Sequence, residues 1–120
     1  MEIHITAGEG GAATVIAAHG ELDVLTAASL RTTVSDVIDG GRAHLVLDAS
    51  GITFLDSTGI GVLVIALRRT RAFDGSFAIA GAHGGARRTL ELTGLTRVFT
   101  LYDTVAEAQE ALAPLAGELR

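Results

Sequence analysis

The chain has 120 residues, a formal net charge of −5 and no cysteine, and 48 % of its residues are apolar. A chain of this size and composition can bury a core without help from disulfides or metals, so we expect one domain over residues 1–120. The missing cysteines exclude disulfides and thiol-based metal sites. Every basic residue is an arginine and acidic residues outnumber them, which argues against nucleic acid as a partner.

Two further features concern the compartment. The longest apolar run, residues 60–67, is much shorter than the roughly 20 residues that cross a bilayer, so no membrane partner is expected. The first ten residues lack the basic and apolar regions of a secretory signal. We therefore expect a cytoplasmic protein.

Apolar spacing and turn residues predict nine strands and helices, joined by turns and loops. Two-residue alternation indicates strands, and apolar residues three and four apart indicate helices. In chain order we predict a strand at 3–5, a turn at 8–11, a strand at 14–18, a helix at 26–38, a strand at 44–47, a loop at 49–56, a helix at 57–71, a strand at 77–80, a helix at 86–92, a strand at 98–101 and a helix from 104. Strands that alternate with helices imply a largely parallel sheet, which the opening hairpin makes mixed. The predicted fold class is α/β, with four to five strands and about four helices.

Capping residues and apolar stripes predict where the helices begin and which faces they bury. Thr26 is the expected N-cap of the first helix and Gly40 its stop, and Thr104 with Glu107 forms a capping box. The stripes expected in the core are Ala27, Leu30, Val34, Val37 and Ile38, then Ile60, Leu63, Val64 and Leu67, then Val105, Ala108, Leu112 and Leu115. Ile52, Phe54 and Leu55 are expected to point into or over the core from the loop.

Candidate functional residues concentrate in the segment 54–63, which reads FLDSTGIGVL. Asp56 and Ser57 stand where the second helix begins, and Asp or Ser at that position commonly caps free backbone N–H groups. A purely structural role therefore stays open on local sequence alone. Gly59 and Gly61 favour a functional role, because glycine inside a helix costs roughly 0.5–1 kcal/mol relative to alanine. We interpret both glycines as letting another surface approach the backbone near Ser57, where a helix N-terminus suits a phosphate.

Two segments together resemble the STAS domain family of anti-sigma factor antagonists. Residues 56–61, Asp-Ser-Thr-Gly-Ile-Gly, match the family motif Asp-Ser-Ser/Thr-Gly-Leu/Ile-Gly, which opens the second helix. Residues 20–23, Gly-Glu-Leu-Asp, match a second family segment, and Thr26 and Ala27 follow at the usual spacing. Leu90, Thr93, Gly94 and Leu95 resemble the ending of the family's third helix. The resemblance extends over essentially the whole chain, and it implies a single STAS domain.

The resemblance implies a regulatory cycle in which this chain is a substrate and not an enzyme. The unphosphorylated chain would bind an anti-sigma factor that is also a serine kinase, and so release the sigma factor. The kinase would use its own ATP to phosphorylate Ser57, with Thr58 as a minor second site. The phosphorylated chain would dissociate until a serine phosphatase restores it. The residues expected to contact the partner are Asp23, Asp56, Ser57, Thr58, Gly59, Gly61 and Val62.

A phosphoacceptor receiver domain is an alternative with the same length and fold class. Asp48 follows an apolar strand, as an acceptor aspartate would. A receiver also needs a lysine after a later strand and an acidic pair near the first, and this chain has no lysine. We therefore interpret Asp48 as a strand-end residue that binds local backbone.

An enzyme is not indicated by the remaining residues. Ser57 does not lie in Gly-x-Ser-x-Gly, and no base is assigned to it. The glycines near residue 84 lack the Lys-Ser/Thr of a phosphate loop. The histidines lack paired metal-ligand spacing, although the first two could meet across the hairpin: His4, His19, His44 and His83. We expect no catalytic residue, no cofactor and no metal.

A second alternative lies within the same family. A STAS domain can serve as a passive scaffold or interaction module in a signalling complex, without a phosphorylation cycle. The intact Asp56-Ser57 pair argues against that alternative.

Overall fold

The computed structural model describes residues 1–8 and 12–118, and the side chains as far as residue 113. Within these residues the elements are β1 (Glu2–Thr6), β2 (Thr14–Leu22), α1 (Ala27–Asp39), β3 (His44–Leu55), α2 (Ser57–Ala72), β4 (Ser76–Ala80), α3 (Gly84–Leu92), a 3-10 turn (Leu95–Arg97), β5 (Thr100–Tyr102) and α4 (Val105–Glu118). The strands form one sheet in the order β1-β2-β3-β4-β5. The β1–β2 pair is antiparallel and the other pairs are parallel. The predicted α/β class, the mixed sheet and the opening hairpin are confirmed.

Helices cover both faces of the sheet, because successive side chains of a strand point to opposite faces. Leu45 and Leu47 belong to the larger core, which lies under α1, α2 and α3. Val46, between them, belongs to a smaller core under α4. Side chains that are fully buried in the larger core include Ile16, Leu22, Leu30, Leu45, Leu47, Ile79 and Leu90.

The buried stripes of the helices agree only in part with prediction. All five predicted residues of α1 are buried. In α2 the buried face is rotated, so that Ile60 and Val64 are only partly buried while Val62 and Ala66 join the core. In α4 Ala108 and Leu112 are buried, and the predicted Leu115 lies outside the described side chains. Most of the predicted turn at 8–11 also lies outside the described residues.

The predicted loop at 49–56 is wrong, because β3 continues to Leu55. Its outer half pairs with the end of β2, which likewise runs past residue 18 to Leu22. Gly51 permits this pairing, since any side chain there would collide with the His19 ring across the strands. Ile52 and Leu55 are buried as expected, whereas Phe54 is 47 % exposed and does not cover the core.

Two boundaries near the end of the sheet are shifted from the prediction. The helix α3 begins at Gly84, two residues before the predicted start, because the Arg87 N–H donates to the His83 carbonyl at 3.2 Å and closes a first helical turn there. The strand β5 begins at Thr100 and not at residue 98, because the backbone N–H groups of Val98 and Phe99 bond to the Leu95 carbonyl in the 3-10 turn.

The start of α4 follows the predicted capping pattern. Thr104 Oγ1 accepts a hydrogen bond from the Glu107 N–H at 3.1 Å, which is the threonine half of the capping box. In the part of the chain that the structure describes, no helix is long and apolar enough to span a membrane.

Candidate functional site

The two sequence motifs meet at one edge of the sheet. Leu22 ends β2 and Leu55 ends β3, and these two residues are register partners in parallel strands. The Asp56 N–H donates to the Leu22 carbonyl at 3.3 Å, which ties the two strand ends together. Asp23 and Asp56, which directly follow those ends, are therefore neighbours at the carboxyl edge of the sheet.

Asp56 is the N-cap of α2. Its backbone is extended, and its Oδ1 accepts a hydrogen bond from the Gly59 N–H at 2.9 Å. This bond satisfies one of the N–H groups that every helix start leaves without an intrahelical partner. Ser57 is consequently the first helical residue, and both Ser57 and Thr58 are exposed. The local sequence left open whether Asp56 or Ser57 caps α2. Asp56 is the cap, and the Ser57 hydroxyl is left available to a partner.

Asp23 organises the loop that leads into α1. Its Oδ1 accepts hydrogen bonds from the Leu25 N–H at 2.9 Å and the Thr26 N–H at 3.2 Å. Thr26 precedes α1 as predicted, but its hydroxyl does not cap that helix; it donates to the Glu21 carbonyl at 2.7 Å. One oxygen of Asp23 is therefore already engaged within its own loop.

This loop turns two large apolar side chains outward. Val24 is 69 % exposed and Leu25 is 87 % exposed. Sequence reasoning missed both, although a signal existed: they are large apolar residues in the short loop that precedes α1. They give the edge near Asp23 and Asp56 an apolar character that the motif residues alone do not suggest.

The two motif glycines, Gly59 and Gly61, lie in different surroundings, so the reason for glycine differs between the two positions. A side chain on Gly59 would lie 2.6 Å from the Leu22 carbonyl oxygen and 2.8 Å from the Leu55 side chain. Gly59 is thus required by packing inside the chain, which explains the glycine without a partner, and its contact with a partner stays a prediction. Gly61 differs, because nothing lies within 4 Å of a Cβ built there.

A groove of about 320 Å³ runs between the first halves of α1 and α2. The residues that line it are Val24, Ala27, Ala28, Arg31, Thr58, Gly61, Val62 and Ile65. Val62, which we expected to contact the partner, is only 5 % exposed and forms part of the groove wall from within the core. Farther along, Arg69 joins the two helices through Ser35 Oγ at 2.7 Å and Asp39 Oδ1 at 3.1 Å.

Asp48 and two of the histidines make local contacts. Asp48 Oδ1 accepts from the Ser50 N–H at 3.1 Å and the Ser50 hydroxyl at 2.7 Å, which confirms its predicted local role although the residue lies within β3. The rings of His4 and His19 meet across the hairpin with centroids 5.8 Å apart. Among the described residues, no three or more His, Cys, Asp or Glu side chains are placed to hold a metal ion.

Comparisons with known proteins agree with the sequence motifs. The STAS domain model matches residues 4–108. The anti-sigma-F factor antagonist RsfB of Mycobacterium tuberculosis is 28 % identical over 106 residues, which cover 88 % of this chain and 86 % of RsfB. A crystal structure of an anti-sigma factor antagonist from Mycobacterium paratuberculosis superposes with a TM-score of 0.78 at 30 % identity, covering 92 % of each chain.

A third similarity concerns the fold alone. An anti-sigma-factor antagonist (STAS) domain protein from Planctomyces limnophilus has a TM-score of 0.79 at 24 % identity, covering 92 % of this chain and 97 % of that one. The family match, the element order and the two converging motifs lead to one conclusion. This chain belongs to the STAS domain family.

Proposed function

We propose that this chain is an anti-sigma factor antagonist whose unphosphorylated form binds an anti-sigma factor with serine kinase activity. Phosphorylation of Ser57 by that kinase ends the binding, and a serine phosphatase reverses it. The chain itself is not an enzyme and acts in the cytoplasm. The observation that carries the proposal is the placement of Ser57: it is exposed at the first position of α2, and Asp56 next to it already performs the capping.

The helix start explains how the domain tolerates a phosphate. Phosphorylation adds about −1.5 to −2 charges and three acceptor oxygens at pH 7. The free N–H groups and the dipole of α2 favour negative charge at that end of the helix. The domain therefore keeps its fold when Ser57 is modified.

The same modification is unfavourable for a bound partner. The phosphate joins Asp23 and Asp56 at one edge of the sheet, next to the exposed apolar side chains of Val24 and Leu25. A partner that covers this edge would have to desolvate the new charge beside two carboxylates. Only about 1.4 kcal/mol is needed to weaken binding tenfold.

A pulldown with Ser57→Ala and Ser57→Asp as paired baits tests the proposal. The Ser57→Ala bait should retain an anti-sigma factor from the native lysate, and the Ser57→Asp bait should lose it. Retention of the same partners by both baits would instead support a scaffold without a phosphorylation cycle. Phosphate transfer from ATP by the retained protein to wild type, and not to Ser57→Ala, would identify the kinase.

A further inference from the structure

Gly61 makes α2 less stable than alanine at the same position would. It occupies the fifth position of a 16-residue helix, where alanine would be more stable. No left-handed backbone angle requires glycine there, and a Cβ would meet no atom within 4 Å. Unlike Gly59, Gly61 therefore has no explanation in the packing of this chain.

The missing side chain keeps the groove between α1 and α2 open. Six of its eight lining residues are apolar or glycine, and Thr58 and Arg31 are the polar ones. Arg31 is exposed, and none of the ion pairs among the described residues involves it. The groove thus combines an apolar interior with one available positive charge, in a chain whose net charge is −5.

We propose that this groove accepts one apolar side chain of the anti-sigma partner, and that Arg31 binds a carboxylate beside that side chain. This inference rests on the proposed function and adds the chemistry of the partner segment. An apolar side chain suits the Val24, Ala27 and Ile65 walls, since binding energy concentrates where an anchor fills a desolvated pocket. A guanidinium pairs with carboxylates through parallel hydrogen bonds, which gives the segment its orientation.

The groove adjoins the phosphorylation site through Thr58 but does not include Ser57. Its α2 wall consists of residues 58, 61, 62 and 65, which lie on the face toward α1, and Ser57 is not among them. Anchoring in the groove and sensing of the phosphate are accordingly two distinct contributions to one interface. Filling the groove should weaken binding even when Ser57 is unmodified.

Gly61→Ala and Gly61→Leu test the groove with a built-in control for folding. Both replacements are better helix formers than glycine, so the urea midpoint of unfolding should rise for Gly61→Ala and should not fall below wild type for Gly61→Leu. Gly85→Ala and Gly85→Leu are the matched controls. Gly85 lies in α3, is exposed, and also has no atom within 4 Å of a built Cβ.

The measured quantity is the Kd for the purified anti-sigma factor that the Ser57→Ala bait retains. We expect Gly61→Ala to bind several times more weakly and Gly61→Leu more than about 100-fold more weakly, with both Gly85 variants unchanged. A stably folded Gly61→Leu that binds as tightly as wild type would overturn the groove proposal and leave the proposed function intact. If wild type binds no anti-sigma factor, the proposed function fails and this inference fails with it.

The role of Arg31 is tested by comparing two variants, each of which lacks one arginine charge. Arg31→Gln should weaken binding about tenfold and reduce its dependence on salt, because the interface loses a charge pair. Arg88→Gln removes the same charge from the exposed surface of α3 and should leave the Kd unchanged. Equal effects of the two variants would show that only net charge matters and would overturn the assignment of Arg31.

Discussion

At the scale of single residues, Asp56 and Ser57 have different positions and contacts at the start of α2. Asp56 caps α2 through the Gly59 N–H, and Ser57 presents its hydroxyl at the surface. Asp56→Ala should therefore lower the free energy of unfolding by about 1 kcal/mol, within the range found for lost N-caps. Urea denaturation provides the measurement. Asp56→Asn keeps an acceptor oxygen and should lose much less, so equal losses for the two variants would contradict the capping role.

His44 gives the fold a pH dependence of its own. Its Nδ1 contacts Ser76 Oγ at 2.7 Å, while its Nε2 is buried without a hydrogen-bond partner among the described residues. Burial lowers the pKa of His44 from its ordinary value, because desolvation disfavours the charged ring. The unfolded chain then binds the proton more readily than the folded one, so stability is full above about pH 6.5 and declines as the pH falls below it.

The pH dependence can be assigned to His44 by comparing how steeply the free energy of unfolding changes with pH in two proteins. Wild type should lose free energy of unfolding between pH 7 and pH 5 more steeply than His44→Asn, whose side chain does not titrate there. Denaturant unfolding at a series of pH values measures both slopes, whatever the stability difference between the proteins at neutral pH. Parallel slopes would show that His44 is not the responsible group.

At the scale of elements, the two glycines near the start of α2 differ in what surrounds them. Gly59 packs its backbone against the ends of β2 and β3, whereas Gly61 faces open space. Gly59→Ala should lower the free energy of unfolding by roughly 1–3 kcal/mol, because the added methyl group overpacks the Leu22 contact. Gly61→Ala should raise it by roughly 0.5–1 kcal/mol. Calorimetry or urea denaturation of the two variants compares them directly, and shifts of the same sign would contradict this distinction.

Sequence patterns predicted the helices better than the outer half of β3. The spacing in α1 predicted its whole buried stripe, because a solvent-exposed helix has one apolar face. In β3 the residues after Asp48 include Ser50 and Gly51, which are typical of loops. Pairing with β2, and the room that Gly51 leaves for His19, overrode those local preferences. A pairing between distant segments cannot be deduced from local composition.

The candidate site was predicted in its motif residues and missed in its apolar surroundings. The motifs indicated Asp23, Asp56 and Ser57, and the register of β2 with β3 explains why they meet. Val24 and Leu25 were missed because their exposure depends on the hydrogen bonds that Asp23 makes within its loop. The groove depends on how α1 packs against α2, which no single segment of sequence determines.

At the scale of the whole molecule, the proposed function needs a domain that keeps its fold around a local switch. We expect the capped start of α2 and the β2–β3 pairing to hold the site in place with or without a phosphate. Backbone NMR shifts of the phosphorylated form should therefore change near residues 23–26 and 56–62 and remain unchanged in β4 and β5. Changes that extend through the sheet would show that phosphorylation acts by rearranging the fold.

In the proposed function, a phosphate on Ser57 controls binding of the anti-sigma factor. The most direct measurement is the Kd of one preparation for that factor before and after stoichiometric phosphorylation at Ser57, located by mass spectrometry. We expect the affinity to fall by at least about tenfold, or about 1.4 kcal/mol, and to return after treatment with a phosphatase. An unchanged Kd, or phosphorylation that proceeds equally on Ser57→Ala, would contradict it.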